Sequence, residues 1–213
     1  MIIVFDLDDT LYDETTFVRS GYKAVAAYLS TQLKIDDEQI FRELWQELQI
    51  QRNHVFNRFL EKKGALRSQL VKRCLSIYRS HDPKIVLYPE ARACLERFKD
   101  SPLYVVTDGN KIVQKRKFLA LGLEKYIRRC MCTYAFGISH SKPSPYCFEK
   151  ICQLEKVDPS QVMYVADNPA KDFVGIKPLG FKTVRVLKGA YSSMKVEPRF
   201  DADRIISDLS ELN

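Results

Sequence analysis

Three carboxylates stand within four residues near the start of the chain, at Asp6, Asp8 and Asp9 of MIIVFDLDDT. Before them, Met1 to Phe5 form an unbroken apolar run, the pattern of a strand buried on both faces. A core strand that ends in clustered acids is unfavourable by itself. Like charges repel, and partial burial strips each of its hydration. A metal cation relieves both costs. The segment therefore points to a metal-assisted site at the carboxyl end of a parallel strand, where open α/β sheets hold their ligands.

Three later segments supply further polar tips. LYVVTDGN spans Leu103–Asn110, SKPSP spans Ser141–Pro145, and VMYVADNPAKD spans Val162–Asp172. With these four segments the chain resembles the haloacid dehalogenase-like superfamily of phosphotransferases. DLDDT looks like its first motif, Thr107 in VVTDGN the second, Lys142 in SKPSP the third, and Asp167 with Asp172 the fourth. All four occur in family order, so the resemblance covers essentially the whole chain. A lone pair of aspartates two apart would be weak evidence; four ordered motifs are not.

The resemblance implies a role for each residue. Asp6 is the expected nucleophile, whose attack on phosphorus divides one hard step into two through an aspartyl-phosphate. Asp8 is the expected general acid and base, serving the leaving oxygen and then the incoming water. Relatives that cleave carbon–halogen bonds lack this second aspartate, so its presence favours phosphoryl transfer. Thr107 would donate its hydroxyl to a phosphoryl oxygen. Gly109 would let the backbone approach closely, and Asn110 would open a helix whose free N–H groups suit an anion. Lys142 would pair with both Asp6 and the phosphoryl group, cancelling their repulsion. Mg²⁺ is the implied cofactor, on Asp6, Asp167 and the main-chain carbonyl of Asp8. Asp172 belongs to the same set, holding a metal-bound water or orienting Lys142. Asp9 carries no chemistry in this reading.

The elements that must position these residues follow from periodicity. From about Thr15 to His81 apolar residues recur every three or four positions, as in Ile40, Phe41, Leu44, Trp45 and Leu48, which reads as four amphipathic helices of 10–17 residues. Elsewhere strands alternate with helices. Strands fall at Leu103–Thr107, Arg129–Tyr134, Val162–Ala166 and Lys182–Val186. Helices fall at Pro89–Lys99, Lys111–Leu121, Pro145–Leu154 and Pro169–Leu179, with Ser144 capping the third, and Asp201–Leu212 is a short terminal segment. The expected fold is α/β, with a parallel sheet covered on both faces. By the resemblance it is a Rossmann-like three-layer core, strand order 5-4-1-2-3, with an inserted four-helix cap. The core would comprise residues 1–13 and 89–213, and the cap residues 14–88.

Composition narrows the function. The 213 residues are 46% hydrophobic and 29% charged, and no stretch reaches the ~20 apolar residues of a membrane span. The six cysteines complete no metal site, so they read as reduced thiols and the expected location is cytoplasmic. The net charge is +7, and residues 15–88 hold 13 Lys and Arg against 7 Asp and Glu. No basic motif of the nucleic-acid-binding kind accompanies that excess, which suits a lid for anionic substrates better. Arg19, Tyr22, Lys23, Arg52, His54 and Arg58 are its candidate selectors, and His140 lies near the mouth.

The function expected is Mg²⁺-dependent hydrolysis of a small phosphorylated metabolite, such as a nucleotide, sugar or sugar-acid phosphate. A phosphomutase shares every motif. A non-catalytic phospho-ligand-binding relative would be expected to lack one. A signalling receiver domain also combines acids, Thr and Lys on a parallel sheet, but its phosphoacceptor lies mid-chain and it has no helical insert.

Overall fold

The computed structural model describes all 213 residues and divides the chain into two compact units, residues 1–14 with 85–213 and residues 15–84. The first is built on six parallel strands: β1 (Ile2–Phe5), β2 (Leu103–Thr107), β3 (Arg129–Cys132), β4 (Val162–Ala166), β5 (Lys182–Val186) and β6 (Arg204–Ile206). They lie in the order β3-β2-β1-β4-β5-β6. The expected order is present, with one strand more. That strand lies inside the segment read as a mere terminus. It is too short to announce itself by periodicity, and it is held in register by Asp203. The Asp203 Oδ2 accepts both the backbone N–H (3.0 Å) and the hydroxyl (2.8 Å) of Thr183.

The second unit contains α1 (Glu14–Leu33, its first residue at the junction), α2 (Asp37–Ile50), α3 (Val55–Lys62) and α4 (Ser68–Ser80). Four helices were expected, but the first runs to 20 residues and the third to only 8. Asp36 caps α2 by accepting the Gln39 N–H at 2.9 Å. Val25, Leu29, Ile40, Leu44, Phe59 and Cys74 are buried together in this unit's own core.

Three helices complete the first unit: α5 (Pro89–Arg97), α6 (Lys111–Ala120) and α7 (Tyr146–Glu155). Ile2, Val4, Tyr104, Val106, Tyr164 and Ala166 share one sheet face and bury against Cys147, Phe148 and Ile151 of α7. The alternate residues Ile3, Phe5, Val105 and Val165 are as deeply buried, so both faces are covered. A strand buried in this way can present a carboxylate only at its end, which is where Asp6 and Asp167 lie.

Three local expectations need correction. Pro169–Leu179 is not an α-helix; only Lys177–Leu179 winds, as a 3-10 turn. The Asp172 carboxylate takes the Asn168 N–H at 3.0 Å, which holds the chain in a turn. A Cβ built on Gly175 would lie 1.7 Å from the Pro143 carbonyl oxygen, so the backbone here is pressed against the Lys142–Pro143 loop. The third strand stops at Cys132 rather than Tyr134, because the Thr133 hydroxyl turns away to Asp108 at 2.7 Å. Ser144 is not the cap of α7; Pro145 holds that position, and Ser144 Oγ accepts only the Tyr146 N–H at 3.4 Å.

Candidate active site

Strand β1 lies between β2 and β4, so the residues that follow these three strands converge. Lys142 is the centre of the cluster. Its side chain is 1% exposed, and its ammonium group lies 3.0 Å from Asp6 Oδ1 and 2.8 Å from Asp172 Oδ1. It also donates to the Tyr164 hydroxyl at 2.9 Å. Burial opposes a charged lysine, but Asp172 and Asp6 outweigh it and hold Lys142 protonated, its pKa well above the ordinary value.

The carboxylates feel the opposite pressure. Burial, reinforced by Asp172 and opposed by Lys142, raises Asp6 from 3.8 to about 6. Asp167 is pushed further, to about 9, by burial and then by the charges of Asp6, Asp172 and Asp9. Oxygens of Asp6, Asp167 and Asp172 all lie within 4.8 Å of one another. Carboxylates crowded and desolvated to this degree fit an oxygen-liganded divalent cation, which supplies the missing positive charge. Asp172 is largely committed already: Oδ1 takes Lys142 and the Tyr164 hydroxyl (3.2 Å), and Oδ2 takes the Asn168 N–H. Asp6 and Asp167 are left as the natural side-chain ligands.

Asp8 is turned elsewhere. Its Oδ1 lies 2.7 Å from the Lys117 ammonium and accepts the Tyr12 hydroxyl at 2.5 Å, while Oδ2 accepts from Gln114 at 3.0 Å. Burial would raise its pKa, but Lys117 and these hydrogen bonds prevail and hold it below the ordinary carboxylate value. Thr107 is 1% exposed and its Oγ1 receives the same Gln114 amide at 2.7 Å. Since Gln114 donates, the Thr107 hydroxyl proton remains free for a ligand oxygen.

Gly109 and Asn110 lie where the sequence places them, Asn110 at the start of α6. Gly109 has φ 122°, a backbone conformation that requires glycine, and an added Cβ would meet Gln114 at 3.6 Å. Asn110 spends its side chain capping α6, accepting from Ile112 at 3.0 Å and Val113 at 3.4 Å. Asp9 is structural: Oδ1 accepts the Glu14 N–H at 2.9 Å, and the backbone of Gly189 presses against its carboxylate. His140 stacks on the Tyr146 ring, with centroids 3.9 Å apart.

The candidate selectors divide. Arg19 covers the Trp45 ring and Lys23 the Phe41 ring. Arg58 is tied to Glu47 and to the carbonyls of Gln51 and Asn53. Tyr22, Arg52 and His54, with Phe56 and Tyr78, line a hollow of about 330 Å³ in the helical unit.

Sequence reasoning missed four residues. Asp108 joins three segments: Oδ1 accepts from Thr133 (2.7 Å) and from the Lys142 N–H (3.1 Å), and Oδ2 pairs with Lys171 (3.1 Å). Gln114 and Lys117 are the buried residues of α6, while Ile112 and Leu119 face solvent. An apolar-periodicity reading places the wrong face inward, and only a polar pair at i, i+3, one neutral and one cationic, on a helix after the second motif hints otherwise.

A parallel sheet with acids and a threonine at adjacent strand ends, and a buried lysine from the loop before α7 among them, is an α/β fold with a site suited to phosphoryl transfer. The chain belongs to the haloacid dehalogenase-like hydrolase family, whose model matches residues 1–180. It is 30% identical to a glyceraldehyde 3-phosphate phosphatase of Methanopyrus kandleri, over 94% of this chain and 89% of that one. It is 26% identical to a phosphoserine phosphatase of Thermus thermophilus, over 99% and 97%. A 2-haloacid dehalogenase from Pseudomonas syringae shares the fold, with a TM-score of 0.66 at 24% identity over 99% and 95% of the two chains.

Proposed function

We propose that this phosphoric monoester hydrolase uses Mg²⁺ to release phosphate from a small phosphorylated metabolite, with the phosphoryl group passing through Asp6. The observation that carries the reading is Lys142, buried between Asp6 and Asp172 while Thr107 and Asp167 stand at the neighbouring strand ends. An Asp6 oxygen bonds to phosphorus as the ester P–O bond breaks. The leaving oxygen takes a proton from Asp8. Water then attacks the aspartyl-phosphate, Asp8 receives a water proton, and Asp6 is regenerated. Asp8 is held as an anion, its form for the second half; an arriving phosphate dianion would raise its proton affinity for the first. Lys142 and the Thr107 hydroxyl hold the phosphoryl oxygens, and Asp172 orients Lys142. When bound on Asp6, Asp167 and the Asp8 main-chain carbonyl, Mg²⁺ would screen the carboxylates and the phosphoryl charge. Choice of leaving group falls to the helical insert, read as a cap, because the core residues address only phosphate.

The test is phosphate release with Mg²⁺ across phosphorylated metabolites, led by glyceraldehyde 3-phosphate and phosphoserine, for which relatives are named. Release concentrated on one class and abolished by chelation supports the reading. No release from any of them by the folded, Mg²⁺-loaded protein refutes it.

The raised carboxylates also predict a pH dependence of stability. Asp6 and Asp167 bind protons more tightly folded than unfolded, so each stabilises less as pH rises from 3.8 through about 6 and about 9 respectively. The metal-free protein should therefore lose thermal stability between pH 5 and about 9. Saturating Mg²⁺, at roughly 100 times its dissociation constant, should restore about 2.7 kcal/mol, chiefly at the alkaline end. Calorimetry with and without chelator reads both, and a flat metal-free profile would contradict the assignment.

A further inference from the structure

The buried face of α6 is polar where a helix on a sheet is ordinarily apolar. Lys117 is 5% exposed at its side chain and Gln114 2% exposed. They lie one turn apart and both point at Asp8, each taking a different carboxylate oxygen. Gln114 reaches further. Its amide nitrogen also faces Thr107 Oγ1 and the Asp108 carbonyl, both at 2.7 Å. The Asp8 carboxylate and the Asp108 carbonyl can only accept, so they fix the nitrogen as the end of the amide that faces them, its two protons shared among the three oxygens. Consequently Gln114 Oε1 is left buried without a partner, a cost of about 1–3 kcal/mol. A leucine would pack there without that cost, so packing does not account for the glutamine.

The geometry points to Lys117 and Gln114 as positioning residues that set the Asp8 carboxylate, and through Gln114 the Thr107 hydroxyl, for acid–base and phosphoryl contacts. This rests on the role proposed for Asp8. Each carboxylate oxygen accepts about two hydrogen bonds. Oδ1 already receives two, from Lys117 and Tyr12, whereas Oδ2 receives one, from Gln114. Oδ2 is therefore the oxygen that gives and takes the proton. Gln114 couples it to Thr107, so the group that serves the leaving oxygen and the group that holds the phosphoryl oxygens are set by one amide. Lys117 contacts the first directly, at Asp8 Oδ1.

Proton donation matters for a poor leaving group and little for a good one, which separates positioning from general damage. The experiment compares a primary alkyl phosphate with 4-nitrophenyl phosphate, in Mg²⁺, for Lys117→Met, Lys117→Arg, Gln114→Met and Asp8→Asn. Lys117→Met should lower kcat/KM, which ends at departure of the leaving group and excludes the water step common to both esters, by about 100-fold on the alkyl ester and by less than ~10-fold on the aryl ester. Lys117→Arg, which keeps the charge and donors, should recover most of that loss. Gln114→Met should show the same leaving-group selectivity and also raise KM for both esters, since it frees Thr107. Asp8→Asn should show the strongest selectivity of the four. Equal losses on both esters in Lys117→Met and Gln114→Met, with selectivity intact in Asp8→Asn, would overturn the positioning role and leave the function standing. If Asp8→Asn itself shows no selectivity, the acid–base role of Asp8 falls, and this inference with it. Should Lys117→Met fail to fold, Lys117→Arg and Gln114→Met still decide, because loss without leaving-group selectivity in both overturns the inference.

Discussion

Asp6→Asn should abolish phosphate release while making the metal-free protein harder to unfold. Asparagine cannot form the bond to phosphorus, and loss of a covalent nucleophile lowers turnover by about 10⁴-fold or more. The same substitution removes a charge that burial disfavours. Asp6 is raised from 3.8 to about 6, so at pH 8 its ionisation costs about 3 kcal/mol relative to the unfolded chain. For a chain of this size that corresponds to a melting temperature roughly 6–12 °C higher. Lys142 keeps Asp172 as a partner at 2.8 Å, so the variant is not left with an unpaired buried cation. The paired outcome separates this role from simple unfolding. An inactive and destabilised Asp6→Asn would mean that the carboxylate is structural, and an active one would mean that the nucleophile lies elsewhere.

Lys142→Met should do the reverse to stability and the same to activity. Methionine nearly matches the volume, but it leaves Asp6, Asp172 and the Tyr164 hydroxyl facing one another without their shared cation. Removing one side of a buried ion pair costs about 3–5 kcal/mol. The expected fall in melting temperature is on the order of 10 °C at pH 8. The fall should shrink toward pH 5, where Asp6 takes up a proton and no longer needs the lysine. Phosphate release should drop by at least about 10³-fold, since the charge that offsets repulsion during attack is gone. Adding Asp172→Asn to this variant should recover part of the stability and none of the activity, a coupling that a thermal double-mutant cycle measures directly. Additive losses would show that the two side chains do not act as a pair.

The site was legible in the sequence to the extent that its chemistry is written at strand ends. Asp6, Thr107 and Asp167 each follow an apolar run, and a buried parallel strand has nowhere else to show a polar side chain. Lys142 was legible only through the company of the other motifs, because a lysine between prolines is otherwise an ordinary loop residue. Asp108, Gln114, Lys117 and Lys171 were not legible. Each reads in the sequence as an ordinary solvent-facing polar residue, and each is drawn inward by a partner from a distant segment, such as Asp8 for Lys117, 109 positions away. Local patterns carry no record of such pairs.

The sequence by itself determined the alternation of strand and helix, the parallel sheet, the helical insert and the acids at the strand ends. All of these follow from short-range periodicity and from the cost of placing charge anywhere but at a strand terminus. The tertiary structure alone decided the rest. It made 169–176 a set of turns rather than a helix, because Asp172 bonds back to Asn168 and Gly175 must clear Pro143. It added β6 through the grip of Asp203 on Thr183. It also sent two of the three aspartates of the first motif to different partners, Asp6 to Lys142 and Asp8 to Lys117. Two carboxylates two residues apart carry the same local signal. Only the long-range partners that fold around them make one a buried, proton-attracting group near 6 and the other an anion.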